Sequence, residues 1–304
     1  MPSTLGERDW GDLLDLIQEE KCTPFIGAGA CAGTLPLGSQ IARQWAGKYD
    51  YPLGDPTDLA RVAQFLAIDR YEMFPKEAIK RQFQDVKPPD FSALDEPHGV
   101  LADLNLPIYI TTNYDGFMVK ALESRKRKPE REFCCWNNYP QVTGKKSIFD
   151  KPDFELSSAT PLVYHLHGYY EMPQSMVLTE GDYLDFLIRL SRDQDLLPPV
   201  IRTALAGTSL LFVGYSLSDW NFRVLFRGLV SSLGASLGYK SIAVQLPPGD
   251  LAGEGLERAQ RYLDQYFDEI QRIQVRIYWG DVREFARELR GQWEAFRCQL
   301  TKKN

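Results

Sequence analysis

The sequence predicts an α/β protein: a doubly wound, mostly parallel sheet with helices on both faces and a smaller, mainly helical lobe inserted into it. Three observations carry that class. Short apolar runs recur along the 304 residues without polar alternation, as strands buried on both faces require. Stretches of helical periodicity separate them. Polar residues follow the apolar runs at one end after another, as expected where an open parallel sheet collects its ligands.

Taken in order, Trp10, Leu13, Leu14 and Ile17 fall on one stripe and predict an N-terminal helix. TPFIG (23–27) follows as a strand, then LPIYITT (106–112), LVYHLH (162–167), TSLLFVG (208–214) and SIAVQL (241–246). IQVRIYW (273–279) alternates instead, which suits an edge strand. Val282, Phe285, Leu289, Trp293 and Phe296 give a closing helix one apolar stripe. Residues 44–100 and 116–160 interrupt the pattern and are expected to form the smaller lobe within a single domain spanning 1–304, with no separate sensor domain. Ser39 is expected to cap a helix running through Trp45, and Thr179 to cap another at Asp182.

Composition narrows the function. The chain is 44% hydrophobic and 25% charged, with a formal charge of −6, which argues against a general nucleic-acid binder. The basic run SRKRKPERE (124–132) has acids interleaved and reads as a solvated loop. Five cysteines, no C-x-x-C pair and no targeting pattern imply a reducing, cytoplasmic setting and exclude a four-cysteine zinc site. No apolar stretch is long enough to span a membrane.

FIGAGACAG (25–33) puts Gly27 and Gly29 directly after a strand, where bare backbone turns tightly and brings N–H groups to a phosphate. With Ala32 it fits G-x-G-x-x-A, a form of the dinucleotide fingerprint. Pro36 and Gly38 then hold the chain in a loop, so no helix opens at the glycines as it does in a nicotinamide dehydrogenase.

Two of only three histidines, His165 and His167, lie two residues apart in LVYHLHGYY (162–170). Such a spacing permits a metal pair on a strand face, but no third ligand is placed by spacing, so no metal site is expected. His165 reads as a packed residue and His98 as a surface one. Tyr183 and Phe186 read as core, with covering the cleft as the other role open to them.

The motifs GAGAC, TTNYD, HLHG, GYSLSD and the late GDV occur in the order and approximate spacing of the sirtuin-like NAD-binding family, and the chain resembles its bacterial antiphage NAD-hydrolase branch. The resemblance runs from about residue 22 to about residue 285 and implies a Rossmann-like sheet. It implies that Gly27, Ala28 and Gly29 line a pyrophosphate, with Ala30, Cys31, Pro36 and Thr112 also at the cofactor. Asn113 would hold the nicotinamide ribose and the attacking water, Asp115 would sit by the nicotinamide amide, and His167 would be the general base. Gly214 and Ser216 would meet the adenine-side ribose and phosphate, Leu217 would also lie at the cofactor, and Asp281 at the adenine end. Cys31 stands where the family usually has serine. TLPLGS (34–39) departs from the deacylases' substrate loop, and their zinc lobe has no counterpart.

The resemblance therefore implies NAD as substrate, no structural zinc, and cleavage to nicotinamide and ADP-ribose through an oxocarbenium-like state. An NAD-dependent protein deacylase and a catalytically silent NAD or ADP-ribose sensor are the rival readings. Self-assembly and a separate regulatory protein, such as a nucleic-acid-translocating ATPase, are the expected means of control.

Overall fold

The computed structural model describes residues 5–193, 195–216, 223–224, 226–229, 241–246, 254–270 and 274–303. Seven strands make one sheet: β1 (Cys22–Ile26), β2 (Ile108–Thr111), β3 (Glu130–Phe133), β4 (Leu162–His165), β5 (Ser209–Val213), β6 (Ser241–Gln245) and β7 (Val275–Trp279). They lie in the order β3-β4-β2-β1-β5-β6-β7, and every pairing is parallel. The chain leaves β1 toward β2 and later returns to β5 on the other side. The carboxyl ends of β1 and β5 therefore flank the switch point, where such sheets bind ligands.

Side-chain alternation explains why the central runs are apolar throughout. On one face Ile26, Tyr109, Val163, Leu211 and Val244 meet Trp10 and Leu13 of the helix Glu7–Gln18 and Phe285 and Leu289 of the helix Val282–Lys303. On the other, Phe25, Ile110, Tyr164, Phe212 and Ile277 meet Phe186 of the helix Glu180–Arg192 and Ile201 of the helix Pro199–Gly207. A third cluster, with Ile41, Trp45, Val62, Leu66 and Ile79, joins the helices Gly38–Lys48, Leu59–Asp69 and Phe74–Phe83 to Met176 and Leu178.

Pro24 stands in the central strand because of where its missing N–H falls. Ile26 O accepts from Thr112 N at 3.1 Å, while Gly27 N donates to Val213 O at 2.8 Å. Even positions of β1 thus face β2 and odd ones face β5. Pro24 has no donor on the β2 side, and pairing with β2 begins only at Phe25.

Four local expectations need correcting. Residues 116–160 do not all lie in a smaller lobe: the helix Phe117–Ser124 packs under the main sheet, and Glu130–Phe133 is its edge strand. Within 44–100, the helix Pro97–Ala102 also belongs to that main core. The basic run is no solvated loop, since Arg125 pairs with Asp103 at 2.6 Å and Arg127 donates to Ala102 O and the Tyr109 hydroxyl at 3.1 and 3.0 Å. Ser39 falls inside the first turn of Gly38–Lys48, where Gln40 Oε1 reaches back to Leu37 N at 2.8 Å. Thr179 does cap its helix: Thr179 Oγ1 accepts from Asp182 N at 3.1 Å, and Asp182 Oδ2 accepts from Thr179 N at 2.9 Å. β7 is an edge strand, with Arg276 exposed.

Candidate active site at the switch point

Three glycines make the floor. After β1 the chain passes through Gly27 into a single 3-10 turn, Ala28–Cys31, and the next helix waits until Gly38. Gly29 N donates to Gly214 O at 2.8 Å. A Cβ on Gly27 would stand 2.8 Å from Gly214 O, and one on Gly29 would stand 2.9 Å from Gly214 Cα. Gly214 has φ +82°, and a Cβ there would lie 2.3 Å from Ala30 N. The turns after β1 and β5 interlock at a distance no side chain permits. Tyr215, just beyond, lies on Phe25 with ring centroids 5.4 Å apart and donates from its hydroxyl to Ile26 O at 3.1 Å. The same hydroxyl meets Thr112 Oγ1 at 2.6 Å, tying the end of β2 to the end of β5.

Asn113 is buried beside this floor, its Nδ2 donating to Gly27 O at 3.0 Å and to Cys31 Sγ at 3.4 Å. Asp115 is buried as well: Oδ1 accepts from Phe117 N at 2.8 Å and Oδ2 accepts the Cys31 thiol at 3.2 Å. Burial, reinforced by the Asp115 charge, pushes the Cys31 thiol well above its ordinary range, so it stays protonated and donates. His98 closes the group. It is 1% exposed, not on the surface as its sequence context predicts. Its Nδ1 faces Glu96 Oε1 at 2.8 Å and its Nε2 lies 3.9 Å from Cys31 Sγ.

β4 supplies the histidine pair. Thr111 pairs with His165, so Asn113 and His167 occupy matching positions two residues past the paired ends of adjacent strands. His165 Nδ1 faces Asn113 O at 3.1 Å. His167 is buried with its ring edge-on to Tyr183 and Phe186, at 5.4 and 5.3 Å. Burial pushes His167 down to about 3, and burial with help from Arg131 pushes His165 down to about 4, so both rings are neutral at physiological pH. The Nε2 atoms of both are buried without a hydrogen-bond partner among the described residues. Such atoms are rare in folded proteins, and a catalytic role is one physical account of them. The Asn113 amide faces Gly27 and Cys31, while the His167 ring faces Tyr183 and Phe186.

The other sequence-predicted residues fall in three places. Ala28, Gly29 and Ala30 lie in the turn, and Pro36 in the loop after it. Ser216 is exposed just past Gly214. Leu217 lies outside the described residues. Asp281 is exposed after β7, where its Oδ1 accepts from Arg283 N at 2.7 Å and starts the closing helix. Sequence reasoning missed Glu96, His98 and Tyr215. A signal for the first two was present in EPHG (96–99), where a carboxylate and a scarce histidine flank the proline that opens a helix.

With this geometry in place, known proteins give a consistent picture. A family model described as SIR2-like domain matches residues 107–270. NAD(+) hydrolase ThsA of Cytobacillus dafuensis is 28% identical over 214 residues, covering 68% of this chain and 38% of that protein. NAD(+) hydrolase ThsA of Bacillus cereus is 25% identical over 217 residues, covering 69% and 40%. Defense-associated sirtuin 2 of Bacillus subtilis is 26% identical over 176 residues, covering 55% and 15%. The chain thus spans only about two fifths of the length of the two hydrolases. A solved structure from a study of Sir2 enzymes overlays 96% of this chain and 100% of its own at a TM-score of 0.43 and 12% identity, too loose an overlay to argue from. Among the described residues no helix is long and apolar enough to cross a membrane.

Proposed function

Because the chain belongs to the SIR2-like domain family, we propose that it hydrolyses NAD at the nicotinamide–ribose bond, giving nicotinamide and ADP-ribose, in defence against phage. The observation that carries the reading is the buried, unpartnered Nε2 of His167, two residues past the end of the strand that pairs with the one leading to Asn113. The names of the relatives support the substrate and the setting.

In this reading the pyrophosphate lies against the Gly27–Cys31 turn, whose glycines let phosphate oxygens come close to the backbone. Asn113 holds a ribose hydroxyl or the attacking water without titrating. The pyridinium leaves as a neutral base, water adds to the ribose carbon it vacates, and one proton is released. Positive charge gathers on the ribose as the bond breaks, and the buried Asp115 carboxylate favours it. A ribose hydroxyl donating to His167 Nε2 gives that ring the partner it lacks and a route for the proton. The protein acts in the cytoplasm and is activated by self-assembly or by a separate partner, of the nucleic-acid-translocating ATPase kind.

Purified protein is mixed with NAD, with and without an acetylated peptide, and nicotinamide is measured. Release without peptide is expected, together with a loss of at least about 100-fold in Asn113→Ala and His167→Ala, the scale of a missing acid–base or positioning group. Release that requires the peptide would mean a deacylase. None under assembled conditions would mean a sensor.

A further inference from the structure

Beneath the glycine turn, a thiol, an imidazole and a carboxylate converge from three separate elements. Cys31 Sγ, His98 Nε2 and an Asp115 carboxylate oxygen all lie within 4.8 Å of one another, and all three residues are buried. The separations from sulfur are 3.2 Å to Asp115 Oδ2 and 3.9 Å to His98 Nε2. Tetrahedral zinc, with bonds of ~2.3 Å to sulfur and ~2.0–2.2 Å to nitrogen or oxygen, sets such ligand pairs about 3.6 Å apart. The two observed distances straddle that value. We propose that Cys31, His98 and Asp115 form a binding site for a single divalent transition ion of the zinc class, with its fourth position open.

The surroundings fit an ion as well as the three ligands do. Glu96 Oε1 sits 2.8 Å from His98 Nδ1, and Glu96 Oε2 accepts from Gly99 N. A carboxylate behind a ligating histidine turns the free nitrogen lone pair toward the metal and makes it more basic. Asp115 is likewise braced by Phe117 N through the oxygen that faces away from the cluster. Binding exchanges one bond for another: the Cys31 S–H bond breaks, an S–metal bond forms, and the thiol proton leaves to solvent. Thiolate, imidazole and carboxylate together favour zinc or cobalt over magnesium or calcium, which prefer oxygen alone. Where the hydrolase reading holds, an ion here takes Asp115 away from the sugar and inhibits; the binding test below does not depend on that reading.

Cobalt(II) serves as the probe, because thiolate ligation produces a charge-transfer absorption that nitrogen and oxygen ligands do not. Full-length protein titrated with cobalt(II) is expected to show that band at one equivalent, with release of one proton and displacement by zinc. The band should persist in Cys135→Ser/Cys298→Ser, which removes the exposed thiols, and vanish in Cys31→Ser. Glu96→Gln, a positioning change, should weaken binding 10–100-fold while keeping the band. Absence of the band, its persistence in Cys31→Ser, or its loss with the exposed thiols would each overturn the proposal. Should Cys31→Ser fail to fold, X-ray absorption on the wild-type cobalt complex decides: one sulfur with nitrogen or oxygen ligands supports the site, and any other sulfur count sinks it.

Discussion

His165 and His167 are folded as neutral rings, and that has a thermodynamic sign. In the unfolded chain each takes up a proton as pH falls below its ordinary value of 6.5. In the folded chain neither does so until about 4 and about 3. The unfolded state binds more protons throughout that window, so their contribution to stability is complete above 6.5 and drains away as pH falls toward 3. The loss is about 1.4 kcal/mol per pH unit for each histidine. Urea unfolding from about pH 7 down to about pH 5 should show a falling midpoint, and His167→Phe should remove roughly half of that fall. An unaltered slope in the variant would show that the ring is not held neutral. Glycine replacements separate close approach from mere flexibility at the same scale. Gly214→Ala forces a Cβ against Ala30 N at positive φ and is expected to cost at least ~3 kcal/mol. Gly291→Ala, inside a helix with nothing near it, should stabilise by ~0.5–1 kcal/mol in the same denaturation assay.

Between elements, one buried ion pair ties the helical lobe to the main sheet. Lys76, 2% exposed, reaches from the helix Phe74–Phe83 to Asp182 on the helix Glu180–Arg192 at 2.8 Å. Its ammonium also lies over the Trp136 ring at 5.5 Å. Removing the lysine leaves a largely buried carboxylate short of its cation, whereas removing both charges does not. Lys76→Met should therefore lose about 3 kcal/mol by chemical denaturation, and adding Asp182→Asn should restore part of it. The same distinction explains what could be read in advance. The runs that became β1, β2, β4, β5 and β6 were legible because burial on both faces leaves no room for polar residues. Strand β3 was not, because Glu130, Arg131 and Glu132 look like loop. Glu132 is in fact 3% exposed, its carboxylate taken by Lys145, Ser147 and the Ile148 amide. Partners that distant leave no local trace. The burial of His98 was hidden for the same reason, since its ring meets Cys31, 67 positions away.

At the scale of the molecule, strand order places the chemistry. The glycine turn, TTNYD and GYS are far apart in sequence, and each follows a strand. The sheet brings β2 and β5 to either side of β1, so all three ends meet. That convergence was legible from the polar residues after each apolar run. The interlock of Gly27 and Gly29 with Gly214 was not, because a contact between two turns follows no periodicity. It also governs when the site can come into being. Tyr215 and Ile26, which the hydroxyl bond joins, are 189 positions apart. A ribosome making this protein must extend the chain 189 positions beyond Ile26 before β5 can dock and the Gly27–Cys31 turn acquires its other half. A nascent chain still short of that point lacks the interlocked turns, and translation itself sets the earliest moment at which they can form.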